Sequence, residues 1–141
     1  MPDQSDATNE RITAEVLTPD SPFYPIAPER LLLETPQCVA FLDTKPASKG
    51  HALVVAKLVT ASLFDLPVEV QAELWETVRR VRGVLIERFR PDGFNIGIND
   101  GPAAGQTVPH AHVHIIPRYL NDVADPRGGI RWVIPAKVRY W

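Results

Sequence analysis

Apolar residues recur along this chain with two different periods, and the places where the period changes mark its elements. Arg30 to Glu34 and Cys38 to Asp43 are short apolar runs separated by Thr35-Pro36-Gln37, the layout of a two-strand hairpin. A second turn from Lys45 to Gly50 leads into His51 to Lys57, whose nearly unbroken apolar stretch predicts a strand covered on both faces. Val70, Leu74, Val78, Val81, Leu85 and Phe89 then fall at intervals of three and four, which lines up one buried face of a long helix. Pro67 suits the first turn of that helix, where a missing N–H costs little. Gly83 inside it costs about 1 kcal/mol relative to alanine, so close packing against the sheet is the expected reason for its presence. Arg79, Arg80, Arg82, Arg88 and Arg90 read as a solvated face. Pro91-Asp92-Gly93 stops the helix and hands the chain to a strand from Phe94 to Asn99.

The last periodic stretch alternates, and it carries three of the four histidines. Successive side chains of a strand point to opposite faces, so His110, His112 and His114 share one face, with neighbours roughly 7 Å apart. Ala111, Val113 and Ile115 take the other face and read as core. Such a comb suits either a metal site or a nucleophile flanked by proton donors. A metal site would recruit further Cys or His, yet the chain offers only Cys38 and His51 besides. Ahead of the comb runs Asp100-Gly101-Pro102-Ala103-Ala104-Gly105-Gln106, a glycine-bearing loop of the kind that lets backbone N–H groups approach an anion. A nucleophilic imidazole beside a phosphate-holding loop points to attack on phosphorus.

The ends are less regular. Residues 1–12 are acidic and poor in apolar side chains and read as a disordered tail, leaving 13–141 as a single domain. Thr18 to Pro28 holds four prolines in eleven residues, which predicts an extended, irregular arm. From about residue 119 no period is sustained. There Arg118, Arg127, Arg131, Lys137 and Arg139 outnumber Asp122 and Asp125, a balance that fits attraction of a polyphosphate or plain solvation equally well. Arg127-Gly128-Gly129 could wrap an anion, and Trp132 and Trp141 stand out in the same stretch.

Composition narrows the function without choosing it. With 45% apolar and 23% charged residues, 141 residues can bury a core without disulfide or metal staples. A net charge of −2 gives no general attraction to nucleic acid, so a small-molecule substrate is expected. The longest apolar run, Ala52 to Ala56, is far short of the ~20 residues of a membrane helix, so no membrane partner is expected. The first residues lack the basic-then-apolar layout of a secretory signal, and one cysteine cannot form an internal disulfide, which makes a cytoplasmic setting the default.

His110-Ala111-His112-Val113-His114-Ile115-Ile116 resembles the signature of the histidine triad (HIT) nucleotide hydrolases and transferases. The run from Asn99 to Arg118 is most similar to the fragile-histidine-triad branch, which cleaves dinucleoside polyphosphates. The likeness extends upstream to Ala40-Phe41-Leu42-Asp43 and Gly50-His51-Ala52-Leu53-Val54-Val55, so it covers most of residues 30 to 118. It implies an α+β fold with a five-stranded, mainly antiparallel sheet, one long helix and a shorter helical segment, paired as a homodimer. It also implies that His112 attacks the α-phosphorus, that a backbone carbonyl fixes its tautomer, and that a covalent nucleotidyl-histidine forms. His114 then donates toward the leaving group, His110 supports the phosphate oxygens, and His51, for which alone a structural role would be favoured, backs the triad.

The resemblance further places Gly105, Gln106, Thr107, Val108 and Asn99 around the α-phosphate and Asp43 at the ribose hydroxyls. Phe23, Ile26, Phe41 and Leu53 fall where the family builds an apolar slot for the base, although a core role serves each equally well. The branch tends to have Asn where this chain has Asp43 and Gln where it has Asn99. Many family members bind a structural zinc through two cysteines of the arm, but the stretch here is Ser21-Pro22-Phe23-Tyr24-Pro25-Ile26, so that zinc is not expected. No cofactor is required for the covalent step, while Mg2+ can accompany a polyphosphate. Two alternatives remain: a nucleotide-binding interaction module with slow turnover, and a metal-binding protein that uses the comb as ligands.

Overall fold

The computed structural model describes residues 16–141; the tail assigned to residues 1–12 lies outside the described residues. Strands β1 (Leu31–Glu34) and β2 (Cys38–Leu42) form the expected hairpin, and β3 (Ala52–Ala56) pairs with the far side of β2. Helix α1 (Val68–Phe89) crosses to β4 (Gly93–Gly97), and β5 (His112–Arg118) returns between β3 and β4. The sheet order is β1-β2-β3-β5-β4 and every pairing is antiparallel. Among the described residues the shorter helical pieces are 3-10 turns, and no helix is long and apolar enough to cross a membrane.

The two faces of the sheet have different covers. Toward α1 the strands present Cys38, Ala40, Val54, Ala56, Val113 and Ile115, which pack with Leu74, Val78, Val81 and Leu85 of the helix. Small residues on the strand side let the helix lie close. Thr77 is buried on the same helix face although its type does not announce it; its hydroxyl donates to the Glu73 carbonyl one turn back (2.8 Å), so no polar group is stranded. The other face carries Val39, Phe41, Leu53 and Val55, and onto these the arm folds Val16, Leu17 and Ile26. On that face Leu53 and Val55 stand opposite His114 and His112, so the histidines emerge beside the arm rather than beneath the helix.

Several local readings are corrected. Gly83 is exposed, and a Cβ there would meet nothing within 4 Å, so packing against the sheet does not explain it. Gly50, next to His51, is the constrained glycine: its φ of +88° is left-handed, and an added Cβ would lie 2.7 Å from the Phe89 ring. Pro67 precedes α1 as its cap, with a φ of −51°. Strand β4 ends at Gly97, leaving Asn99 exposed in the following loop. His110 falls just before the regular ladder of β5, because the Ala111 N–H is drawn off to the Thr60 carbonyl (2.8 Å) instead.

Candidate active site

The site forms where β5 runs between the arm and the C-terminal segment. His112 is its centre. Its Nδ1 lies 2.8 Å from the carbonyl oxygen of His110, two residues back on the same chain. A carbonyl only accepts, so Nδ1 carries the proton and Nε2 keeps its lone pair. The Phe23 ring meets His112 edge-on at 5.2 Å between centroids and walls it on the arm side. The ring of His114 stands at 4.9 Å on the other side.

A chain of hydrogen bonds sets the tautomer of His114. The backbone N–H of Ala47 donates to Nδ1 of His51 (2.9 Å), so the proton of His51 sits on Nε2. That nitrogen lies 3.0 Å from Nδ1 of His114, which must then accept. His114 is left with its proton on Nε2, a donor beside the bare Nε2 of His112. Asp43 lies 3.7 Å from His51 Nε2 through one oxygen and accepts the Lys45 N–H through the other (3.0 Å). Burial, then the neighbouring His112 and His51, depress the His114 pKa from 6.5 to about 4, with Asp43 opposing. Burial also lowers His51, and again Asp43 opposes. Asp43, His51 and His114 offer ligand atoms within 4.8 Å of one another, a possible metal-holding group that excludes His110 and His112.

These shifts have a consequence for stability. In the unfolded chain His114 takes up a proton near pH 6.5, whereas in the fold it resists until about 4. The contribution of the neutral ring is therefore complete above pH 6.5 and lost as pH falls from 6.5 to 4, by roughly 3 kcal/mol. Denaturant midpoints measured between pH 7 and 4 should drop across that window, and His114→Gln should flatten the drop. An equally steep loss in the variant would contradict the assignment.

His110 differs from the expectation. It is buried, with Nε2 2.7 Å from the Ala56 carbonyl and Nδ1 2.7 Å from the Ser21 hydroxyl. Nε2 therefore donates to Ala56 and Nδ1 accepts from Ser21, so neither ring nitrogen is free for a phosphate oxygen. Its side chain instead ties the arm to β5 while its carbonyl fixes His112. Ser21 is the residue that sequence reasoning passed over as a functional one. Ser21→Ala would strand Nδ1 of His110 in a buried setting and is expected to lower stability by about 1–3 kcal/mol, read from the denaturant midpoint. A midpoint equal to wild type would show the bond to be dispensable.

The loop before the comb is shaped from within. Gly101 and Gly105 have φ of 99° and 92° around the turn Pro102–Ala104. Gln106 accepts from the Gly101 N–H (2.9 Å) and donates to the carbonyls of Ala61 (2.8 Å) and Val108 (3.1 Å), so its amide braces the loop rather than reaching for a phosphate. The N–H of Gly105 is likewise spent, on Pro102. Thr107 and Val108 have N–H groups without a partner among the described residues, as does the side chain of the exposed Asn99.

The expected base slot is mostly closed. Phe41 is fully buried, Leu53 and Ile26 nearly so, because Val16 and Leu17 lie over them; only Phe23 keeps an accessible face. Of the C-terminal cations, Arg118 is held by two bonds to Asp122 (2.7 and 2.8 Å) and one to Asn95 (2.6 Å). Arg127 pairs with Asp125 and lies over the Trp141 ring at 4.4 Å, and Arg131 binds the carbonyls of Lys137 and Val138. Gly128 serves packing, since a Cβ there would sit 2.5 Å from Val138. Cys38 is no rival nucleophile, because burial, with Glu73 adding to it, raises its thiol to about 11.

Comparison with known proteins places this site in context. The family described as the HIT domain matches residues 25–121. The asymmetrical bis(5'-nucleosyl)-tetraphosphatase of Schizosaccharomyces pombe is 41% identical over 96 residues, 68% of this chain and 53% of its own. The bis(5'-adenosyl)-triphosphatase of Dictyostelium discoideum is 39% identical over 97 residues, 69% of this chain and 65% of its own. This chain thus spans between half and two thirds of the length of these two relatives. Among solved structures, the Plasmodium falciparum diadenosine triphosphate hydrolase in complex with Cyclomarin A superposes with a TM-score of 0.68 at 29% identity, over 80% of this chain and 74% of that one.

Proposed function

Because the chain belongs to the HIT domain family, we propose that it hydrolyses or transfers a nucleoside monophosphate from a dinucleoside polyphosphate or a related nucleotide conjugate. The observation that carries this reading is the pair of fixed tautomers: a bare Nε2 on His112 and an N–H on Nε2 of His114, on neighbouring rings that are each only partly buried. The Nε2 lone pair of His112 attacks the α-phosphorus, and the bond to the leaving oxygen breaks with its electron pair. His114 gives that oxygen its proton. Water then cleaves the N–P bond and releases the nucleoside monophosphate. Neutral imidazole suits this work because it brings no negative charge against the phosphate oxygens.

Within this reading the Thr107 and Val108 amides and Asn99 hold the α-phosphate, and Asp43 takes the ribose hydroxyls. His51 orients His114. The substrate classes printed for the relatives support polyphosphates as the first compounds to try. The histidines need no resident metal, and Mg2+ enters with a polyphosphate. A homodimer in the cytoplasm completes the proposal, supported by family membership and by β4 standing at an open sheet edge. The test is a panel of diadenosine tri- and tetraphosphate and adenosine phosphoramidate, assayed with wild type and followed by alkaline-quench mass spectrometry for a nucleotidyl group on His112. Turnover of none of them would overturn the reading.

A further inference from the structure

The place of the proton on His114 depends on one backbone donor, the Ala47 N–H, which meets Nδ1 of His51 at 2.9 Å. His51 is buried, and Asp43, at 3.7 Å from its Nε2, lies beyond hydrogen-bonding distance. With Ala47 drawn away, His51 is free to carry its proton on Nδ1. Its Nε2 then accepts from Nδ1 of His114, and Nε2 of His114 loses the proton that it offers beside His112. Which pair of tautomers forms therefore turns on the placement of residue 47, an exposed alanine outside any helix or strand.

Two side-chain hydroxyls hold the turn that carries this alanine. Ser48 Oγ donates to the Pro117 carbonyl (2.6 Å), and Tyr119 Oη donates to the Lys49 carbonyl (2.7 Å). The turn is closed on itself by the His51 N–H on the Ser48 carbonyl (3.1 Å), with Gly50 at a left-handed φ of +88°. Both hydroxyl bonds lie past the last rung of the β3–β5 ladder, where Ala52 pairs with Ile115, so no ladder bond duplicates them. Pro117 is three residues beyond His114 on β5. The turn that aims His51 is thus fastened to the strand that bears the ring His51 acts on.

We propose that Ser48 and Tyr119 are positioning residues for the proton transfer: their hydroxyls clamp the turn so that the Ala47 N–H, through His51, keeps the proton of His114 on Nε2. This role rests on the reading of His112 as the nucleophile and His114 as its proton donor.

The test pairs nitrogen-15 NMR of the neutral imidazole rings with kinetics on Ser48→Ala, Tyr119→Phe and the double variant, and the denaturation midpoint checks that each is folded. In wild type, Nδ1 of His114 should show the shift of a bare nitrogen and Nε2 that of a protonated one. In the double variant the two shifts should move toward each other as the tautomers mix. Its kcat for diadenosine triphosphate should fall about tenfold, the scale of a slightly misplaced group, with KM nearly unchanged. For the p-nitrophenyl ester of adenosine monophosphate, whose leaving group needs no proton, kcat should stay close to that of wild type. Ser48→Thr keeps the hydroxyl and should match wild type in spectrum and rate. Unchanged His114 shifts in the double variant would overturn the proposal whatever the turnover. An equal loss on both substrates would overturn it too, because a general distortion of the site does not discriminate between leaving groups. If the shifts move while wild type turns over neither compound, the nucleophile reading fails and the clamp stands.

Discussion

His112→Ala is expected to lower kcat for a dinucleoside polyphosphate by at least about 10⁴-fold, the scale seen when a covalent nucleophile is removed from other enzymes. The loss should fall on kcat, because the Thr107 and Val108 amides and Asn99 are untouched. His112 is only partly buried, and its one hydrogen bond runs to a carbonyl on its own chain, so the fold should survive. The denaturation midpoint therefore serves as the control. Residual turnover within about tenfold of wild type would move the nucleophile elsewhere.

His114→Ala should lower kcat by about 10²- to 10⁴-fold, the usual worth of a positioned proton donor. The size should depend on the leaving group. A polyphosphate or alcohol oxygen needs the proton as it departs, whereas p-nitrophenolate does not. With the p-nitrophenyl ester of adenosine monophosphate the variant should therefore recover most of its rate. His51→Leu should show the same leaving-group pattern more weakly, because it removes the bond that fixes the His114 tautomer but not the ring itself. An equal loss on both substrates would assign His114 to phosphate binding.

Much of this arrangement was legible before any coordinates. The three- and four-residue spacing from Val70 to Leu85 named the buried face of the helix, and the alternation after Pro109 put His112 and His114 together on the face opposite Val113 and Ile115. Both follow from side-chain period alone. What failed depends on partners far along the chain. The ring of His110 is closed by Ala56 and by Ser21, 54 and 89 residues distant, and neither residue type announces such a role. Gln106 looked like a phosphate ligand because its own loop, which consumes its amide, is invisible to residue type. The slot residues Ile26, Phe41 and Leu53 became core because Val16 and Leu17 settle over them. An apolar side chain reads the same whether a base or another side chain covers it.

The hydrogen-bonding groups that set the chemistry belong to the backbone. The His110 carbonyl aims His112, and the Ala47 N–H, acting through His51, decides which nitrogen of His114 bears the proton. Backbone groups carry no sequence signature, so the triad pattern named the players while their protonation states needed the fold. The same holds for the low pKa of His114, which burial produces before any neighbouring charge contributes.

The most direct measurement is the stereochemical course at phosphorus, using a dinucleoside polyphosphate made chiral at the attacked α-phosphorus and hydrolysed in isotopically labelled water. Attack by His112 followed by attack of water inverts the centre twice, so the account predicts net retention. Inversion would mean that water displaces the leaving group in one step, and the histidine would then be a base or a binding group rather than the nucleophile.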